Sequence, residues 1–400
     1  MTNECITIFK GDTSRLRNTI PMTERLAPEF FDEEVKKIFS KSWLIIGTSK
    51  ELVEKGSYIV TDVPPLKASL IIVRGEDEKI RVFRNICRHR GDKLVHGKEG
   101  CSKFFQCQFH AWTFSNTGNL IGVTDATQFK DMKKDELGLI EIHSEVWEDI
   151  VFVNFEEHPT QTLKEWLGDI YGQYKGFSDN RVKVADHRVV VNTNWNLAVN
   201  AFCEGYHNIF IHKNTVPDYQ GSPSNPNRHR PYLEVGKHFG RYSAHGNPNH
   251  KPTPAEGIFY KYSRPMFPSF VQFEMDKLPI GVNPSRFKQW AFDIVHLFPN
   301  IVIGPQANTN SIMLFWPISH NKTDIRVMRF SYKTDKPSDR IAQAHSLVRN
   351  REVLREDLAT METQYESIAS GGLPYMFLSE QEQLIQNHYR AADDMLNEET

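Results

Sequence analysis

From Leu44 to about Phe155 the apolar residues come in short β-branched and aromatic runs, GSYIVTDV, ASLIIVRG, KIRVFRN, FFQC, WTFS and DIVFVNF, separated by Gly, Asp, Asn and Lys clusters. That rhythm predicts an all-β domain. Ahead of it, PEFFDEEVKKIFSKSW (28–43) has helical spacing, with acids early and lysines late as the helix dipole favours, and follows a polar N-terminal arm. Beyond it, TLKEWLGDIYGQYKGF reads as a helix, and RVVVNTNWNLAVNAFCEGYHNIFIH passes from strand-like to helix-like. Seven of the 21 prolines then fall between Lys213 and Glu256, among many Gly, Asn, Ser and His, which predicts an irregular functional loop or lid. Strand-like runs return at WAFDIVHLF, NIVIG, SIMLFWPI and DIRVMRFSYK, and a helical stretch follows from about Ser338 to Ser370. Strands followed by a long helix predict an α+β second domain. The resulting division is an arm and helix (1–43), a β domain (44–155) and a second domain (156–400).

A chain of 400 residues, 39% hydrophobic and 12% aromatic, is long enough for two cores. A formal charge of −2 gives no broad basic field, so nucleic acid and anionic membrane surfaces are poor partners, and a small molecule or another protein is the better expectation. The N-terminus lacks a signal-peptide pattern, and no apolar run approaches the ~20 residues that span a bilayer. The chain therefore reads as cytoplasmic. Five scattered cysteines do not make a disulfide framework at this size. Reduced thiols, some of them metal ligands, fit better; Cys101 matches no ligand and reads as a small buried residue.

Cys87-Arg-His89 and Cys107-Gln-Phe-His110 place one thiolate and one imidazole in each of two loops of the β domain. A zinc finger usually takes its cysteines from one turn and its histidines from another. One of each per loop suits a [2Fe-2S] cluster with two cysteines on one iron and two histidines on the other, although a structural zinc site or unliganded residues would leave the same letters. A second constellation lies between Asn194 and His212. Glu204 and His207 are three apart and would share a face on a helix. His212 is five beyond His207, about 140° round an ideal helix, so both reach one metal only if the helix loosens or ends between them. Two imidazoles and one carboxylate on one face of an iron leave positions open for O₂ and substrate. On the long C-terminal helix Asp357 lies at the edge of the stripe formed by Leu354, Leu358, Met361, Tyr365 and Ile368, whereas Glu356 points with Arg349 and Glu352, so Asp357 is the chosen carboxylate. His229, His238, His245 and His250 have no fixed spacing and read as surface histidines. The aromatics of FYKYSRPMFPSFVQF are candidates for lining an apolar pocket, or for covering a core.

CRHRG and CQFHAW resemble the two cluster loops of Rieske proteins, and Asn194 to His212 resembles the mononuclear-iron segment of the Rieske non-haem iron ring-hydroxylating oxygenases, alpha subunit. Departures are Gln108, Phe109 and Ala111 where the second loop usually has a Pro-Tyr pair and a Gly, Asn196 where Lys is common, and Asn200-Ala201-Phe202 where an acid usually leads. The resemblance implies a Rieske domain followed by a helix-grip catalytic domain, an antiparallel sheet around a long C-terminal helix. It gives the cluster to Cys87, His89, Cys107 and His110, and the iron to His207, His212 and Asp357. It also implies a head-to-tail homotrimer in which Glu204 bridges to the partner subunit's His110 and carries the electron between subunits. The chain has no Gly-rich dinucleotide fingerprint, so a separate ferredoxin or flavin reductase drawing on NAD(P)H would supply electrons. The expected activity is mono- or dioxygenation of an apolar, aromatic or polycyclic compound, as in aromatic hydrocarbon catabolism. The alternatives are oxidative O- or N-demethylation, a Rieske electron carrier, and a zinc-stabilised ligand-binding protein.

Overall fold

The computed structural model describes residues 8–216, 222–228, 230–257, 278–306 and 309–398. It separates into one unit of residues 39–163 and another made of residues 1–38 with 164–400. The N-terminal arm and helix, set apart in the sequence, thus group with the C-terminal unit.

In the smaller unit, seven strands form one sheet and three short strands, Phe104–Gln106, Thr113–Ser115 and Leu120–Gly122, form another. The sheet's inner positions, Ile71, Val73 and Phe83, pack with Phe105 and Phe114 of the small sheet and with Trp112, just ahead of Thr113–Ser115, in one core that also contains Cys87 and Cys107. Burial in this core fixes both cysteine loops without a disulfide. Cys101 is exposed, not buried as expected, because it ends the edge strand Glu99–Cys101; its Sγ donates to the Lys55 carbonyl at 3.4 Å.

The larger unit is built on eight strands in the order Ile8–Lys10, Tyr232–Val235, Phe239–His245, Trp290–Leu297, Ile301–Pro305, Thr309–Ser319, Lys322–Tyr332, Arg181–Val191. All neighbours are antiparallel except the first pair. The long helix Pro337–Ser367 packs on strand Arg181–Val191 and on the short helix Trp195–Asn200, which is the helix-grip arrangement expected from the resemblance. A second helix, Gln383–Asn397, lies against Phe239–His245, and the approach is close enough that a Cβ at Gly240 would sit 2.7 Å from Leu384 Cγ. Only glycine permits that packing.

The stretch expected to be irregular between Lys213 and Glu256 contributes the two strands Tyr232–Val235 and Phe239–His245. With the chain folded into the sheet, His238, His245 and His250 are buried rather than at the surface. His238 stacks on Trp166 with ring centroids 3.7 Å apart, and burial lowers its pKa to about 3, so it packs as a neutral aromatic. His229 and the segment FYKYSRPMFPSFVQF lie outside the described residues.

The entry into Trp195–Asn200 is held by a buried polar chain. Asn194 caps the helix through Asn196 N–H, and Glu34, fully buried, accepts from Trp195 Nε1 at 2.9 Å and Asn196 Nδ2 at 2.8 Å. His388 Nε2 lies 2.7 Å from Asn196 Oδ1. Asn196 can donate to Glu34 and accept from His388 at once, which a lysine, having no acceptor, cannot do. Burial raises the Glu34 pKa from 4.5 to about 7 despite those two bonds. Below about 4.5 both folded and unfolded Glu34 hold the proton. As pH rises from there through 7 the unfolded chain gives it up first, and stability worth about 3 kcal/mol is lost. Glu34→Gln, which does not ionise, is expected to have a flatter stability profile between pH 5 and 8 in chemical denaturation. Parallel profiles for the two proteins would mean that Glu34 titrates at its ordinary value.

Candidate active site

Two groups of side chains carry the chemistry, one in each unit. In the smaller unit the two cysteine loops close in the same way. Cys87 N–H donates to the Asp92 carbonyl at 2.7 Å and Cys87 C=O accepts from Gly91 N–H at 3.0 Å; Cys107 N–H donates to Trp112 C=O and its carbonyl accepts from Ala111 N–H, both at 2.9 Å. This geometry needs a left-handed residue four beyond each cysteine, and Gly91 (φ +80°) and Ala111 (φ +55°) supply it. Ala111, which departs from the usual glycine, keeps the turn at the steric cost a Cβ brings there.

These loops bring Cys87 and Cys107 together in the core, with the two thiols in mutual contact, and set the rings of His89 and His110 4.7 Å apart at 74°. His89 is further fixed by stacking on Trp112 at 4.9 Å. Burial pushes the Cys87 thiol up, so deprotonating it calls for a cation. Both imidazole Nδ1 atoms are buried with no hydrogen-bond partner, the signature of a nitrogen that takes a metal. Four donors round one tetrahedral zinc would lie about 3.5 Å apart. Among the described residues the grouping of three or more donors within 4.8 Å of one another is a different one, His207, His212 and Asp357. A thiol pair beside an imidazole pair suits the two-and-two ligand set of a two-iron cluster.

In the larger unit, helix Trp195–Asn200 stops before Glu204, and the chain turns through residues 201–207 before the single-turn helix Asn208–Ile211. Glu204 and His207 therefore meet in a turn and not along a helix face: Glu204 Oε2 accepts from the backbone N–H of Tyr206 and His207. His207 and His212 flank the short helix, and the second leaves helical geometry (φ −93°, ψ 16°), which lets the rings converge with centroids 5.1 Å apart.

Asp357, buried on the long helix, lies between them. Its Oδ1 is 3.5 Å from His207 Nε2 and 3.2 Å from His212 Nε2. Each imidazole presents its other nitrogen to a second carboxylate, His207 Nδ1 to Glu204 and His212 Nδ1 to Glu356 Oε2, the latter at 2.9 Å. Thr215 Oγ1 also donates to Glu356. Outer carboxylates of this kind fix the tautomer and aim Nε2 inward. Glu356 is the residue the sequence reading missed: a helix face assigned from apolar periodicity gave it no partner, whereas it holds the far side of His212. Burial opposes charging both imidazoles, but Glu204 and Asp357 at His207, and Asp357 and Glu356 at His212, outweigh it and raise their pKa. Two imidazoles amid three carboxylates make a field for a cation, and His207, His212 and Asp357 could hold one on a single face.

A cavity of about 360 Å³ opens on this group, with Phe202, Phe292, Ile294, Val302, Met313 and Leu354 among its apolar walls.

Comparison with known proteins decides the family. The model of the ring hydroxylating alpha subunit catalytic domain matches residues 178–398, and that of the Rieske [2Fe-2S] domain matches residues 42–134. The chain belongs to the Rieske ring-hydroxylating alpha-subunit family. Over 88% of this chain and 86% of the relative it is 26% identical to 2-aminobenzenesulfonate 2,3-dioxygenase subunit alpha from Alcaligenes sp. It is 27% identical to the carnitine monooxygenase oxygenase subunit from Acinetobacter baumannii over 47% of this chain and 51% of that protein. In fold it resembles a quaternary ammonium Rieske monooxygenase (TM-score 0.76, 17% identity, 98% of this chain and 100% of that one) and naphthalene 1,2-dioxygenase from Rhodococcus sp. (TM-score 0.77, 20% identity, 96% and 95%). As a Rieske non-haem iron oxygenase, the chain uses a [2Fe-2S] cluster and a mononuclear iron, takes electrons from a ferredoxin-type donor, and acts on a small molecule with O₂. The electron-carrier and zinc-protein alternatives are thereby set aside. No helix among the described residues is long and apolar enough to cross a membrane.

Proposed function

We propose that this Rieske oxygenase hydroxylates an organic substrate with an apolar body, bound in the cavity beside His207, His212 and Asp357. These three residues would hold the iron, and Cys87, His89, Cys107 and His110 the cluster. The observation that carries the reading is the opening of the largely apolar cavity directly onto a two-histidine, one-carboxylate group. When bound, the cluster would supply electrons and the iron the means of activating O₂. The chain's own part is to aim two Nε2 atoms through Glu204 and Glu356, to enclose the substrate against Phe292, Ile294 and Met313, and to keep bulk water from the reacting face.

The test is total iron and acid-labile sulfide per chain, with an electron paramagnetic resonance spectrum of the reduced protein. About three irons and two sulfides with a Rieske signal are expected. Zinc without sulfide would overturn the reading. Product analysis then separates ring or C–H hydroxylation from oxidative demethylation, which releases formaldehyde.

The head-to-tail trimer, and electron passage from the partner subunit's His110 through Glu204, belong to the same proposal. Glu204→Gln keeps an acceptor for His207 Nδ1–H and should therefore retain both metals. It is expected to slow substrate-dependent turnover by roughly ten- to a hundred-fold, the range of other outer-shell changes. Unchanged turnover would take Glu204 out of the route, and a monomer in sedimentation would remove the route itself.

A further inference from the structure

The wall of the cavity opposite its helices is one face of the large sheet, and strand register divides that face into an apolar row and a polar one. Val302 pairs with Met313 in the first row. Two residues along, on the same face, Gly304 pairs with Ser311 and Ser311 with Arg329. All five line the cavity. A Cβ at Gly304 would lie 2.3 Å from Ser311 Oγ, so a glycine at that place leaves room for the hydroxyl.

Arg329 is only 7% exposed, yet among the described residues no carboxylate and no hydrogen-bond acceptor meets its guanidinium. Burial alone lowers its pKa, to about 10, which still leaves it cationic at neutral pH. Other buried arginines of this unit are matched: Arg241 pairs with Glu234, Arg25 with Asp393, and Arg181 lies over the Tyr332 ring at 4.7 Å, while the part-buried Arg349 pairs with Glu256 at 2.7 Å. The carboxylates that share the cavity are engaged elsewhere. Asp293 takes Trp290 Nε1–H on Oδ1 and Asn283 N–H on Oδ2, Glu204 serves His207, and Asp357 faces the two imidazoles. A buried, unpaired cation is unfavourable unless something else supplies the counter-charge. Here the open side of that cation is the space the substrate would fill.

We propose that the substrate carries an oxyanion group, a carboxylate or a sulfonate, on its apolar body, and that Arg329, with the Ser311 hydroxyl beside it, binds that group. This rests on the reading of the cavity as the substrate site of the oxygenase. A guanidinium offers paired N–H donors in the plane of an oxyanion, the pairing by which arginine selects such groups. The apolar row would then hold the carbon skeleton, so the anion sets how the substrate lies.

The test uses the iron- and sulfide-replete enzyme at pH 7.5 and isothermal titration calorimetry with matched probes: benzoate against benzamide, benzenesulfonate against benzenesulfonamide, and 1-naphthoate against 1-naphthamide. In at least one pair the anion is expected to bind about ten-fold or more tightly than its neutral partner. Whether the carboxylate or the sulfonate pair shows it names the source of the oxyanion. Arg329→Met should bring that ratio close to one, and Arg329→Lys should keep part of it. The proposal is overturned by a panel in which no anion is preferred, or by a preference that survives in Arg329→Met, as direct binding of the anion to the iron would give. Metal content is measured on the same samples. A wild-type protein that cannot be loaded with mononuclear iron would remove the reading of this cavity as the substrate site, whereas a full metal complement without anion preference removes only the role of Arg329.

Discussion

Replacing Asp357 by alanine is expected to strip the mononuclear iron and abolish turnover while the cluster stays in place. Asp357 faces both Nε2 atoms, at 3.5 and 3.2 Å, and is the carboxylate of the three-donor group. Its loss leaves two imidazoles to hold a ferrous ion, too few donors, because the remaining carboxylates, Glu204 and Glu356, lie on the far nitrogens of the rings. Outer-shell partners of metal ligands typically contribute 10- to 100-fold in affinity or activity, so removing a ligand should cost more than about a hundred-fold. Iron should fall from about three to about two per chain with two sulfides unchanged. Glu356→Gln is the control: it disturbs only the hydrogen bond to His212 Nδ1 and should weaken iron binding by roughly 10- to 100-fold. If Glu356→Gln empties the site and Asp357→Ala does not, the two acids have been assigned in the wrong order.

That neighbouring acids take different parts explains what the sequence could and could not disclose. Consecutive residues on a helix point about 100° apart, so periodicity separates Asp357 from Glu356 cleanly. It cannot see that His212 lies between their directions and takes one carboxylate on each nitrogen. The ligand candidates were legible because their spacing is local: two Cys/His loops, and a pair of histidines flanking a single turn. Strands Tyr232–Val235 and Phe239–His245 were not, because YLEV and FGRYSAH are short and sit among Pro, Gly and Asn that locally favour turns. Pairing of Phe239–His245 with Trp290–Leu297, and of Tyr232–Val235 with Phe239–His245 in turn, overrides that preference. Arg329 was hidden for a third reason. Arg326 and Arg329 look alike in DIRVMRFSYK, but an odd separation puts them on opposite faces of the strand. Arg326 pairs with Asp186 on the outer face, while only cross-strand register shows Arg329 entering the cavity.

Arg241 should give the largest change in stability. It is 1% exposed on the strand Phe239–His245, and it donates to Glu234, to the Gly281 carbonyl at 2.7 Å and to Gln173 at 2.9 Å. Arg241→Met fits the volume but leaves Glu234, itself 2% exposed, as a buried charge supported, among the described residues, only by Tyr232 OH and the exposed Lys10. Breaking one side of a buried pair typically costs about 3–5 kcal/mol, and the orphaned Gly281 carbonyl and Gln173 side chain add to it. Glu234→Met together with Arg241→Met removes both charges and should recover most of the loss, because the penalty lies in a buried carboxylate left with only Lys10 and Tyr232 more than in the missing attraction. Chemical denaturation of the two single variants and the double one measures this directly. A double variant as unstable as the sum of the singles would mean that Arg241 acts through its bonds to Gly281 and Gln173, as a clamp joining strand Phe239–His245 to the chain around residues 173 and 281, and not through its charge.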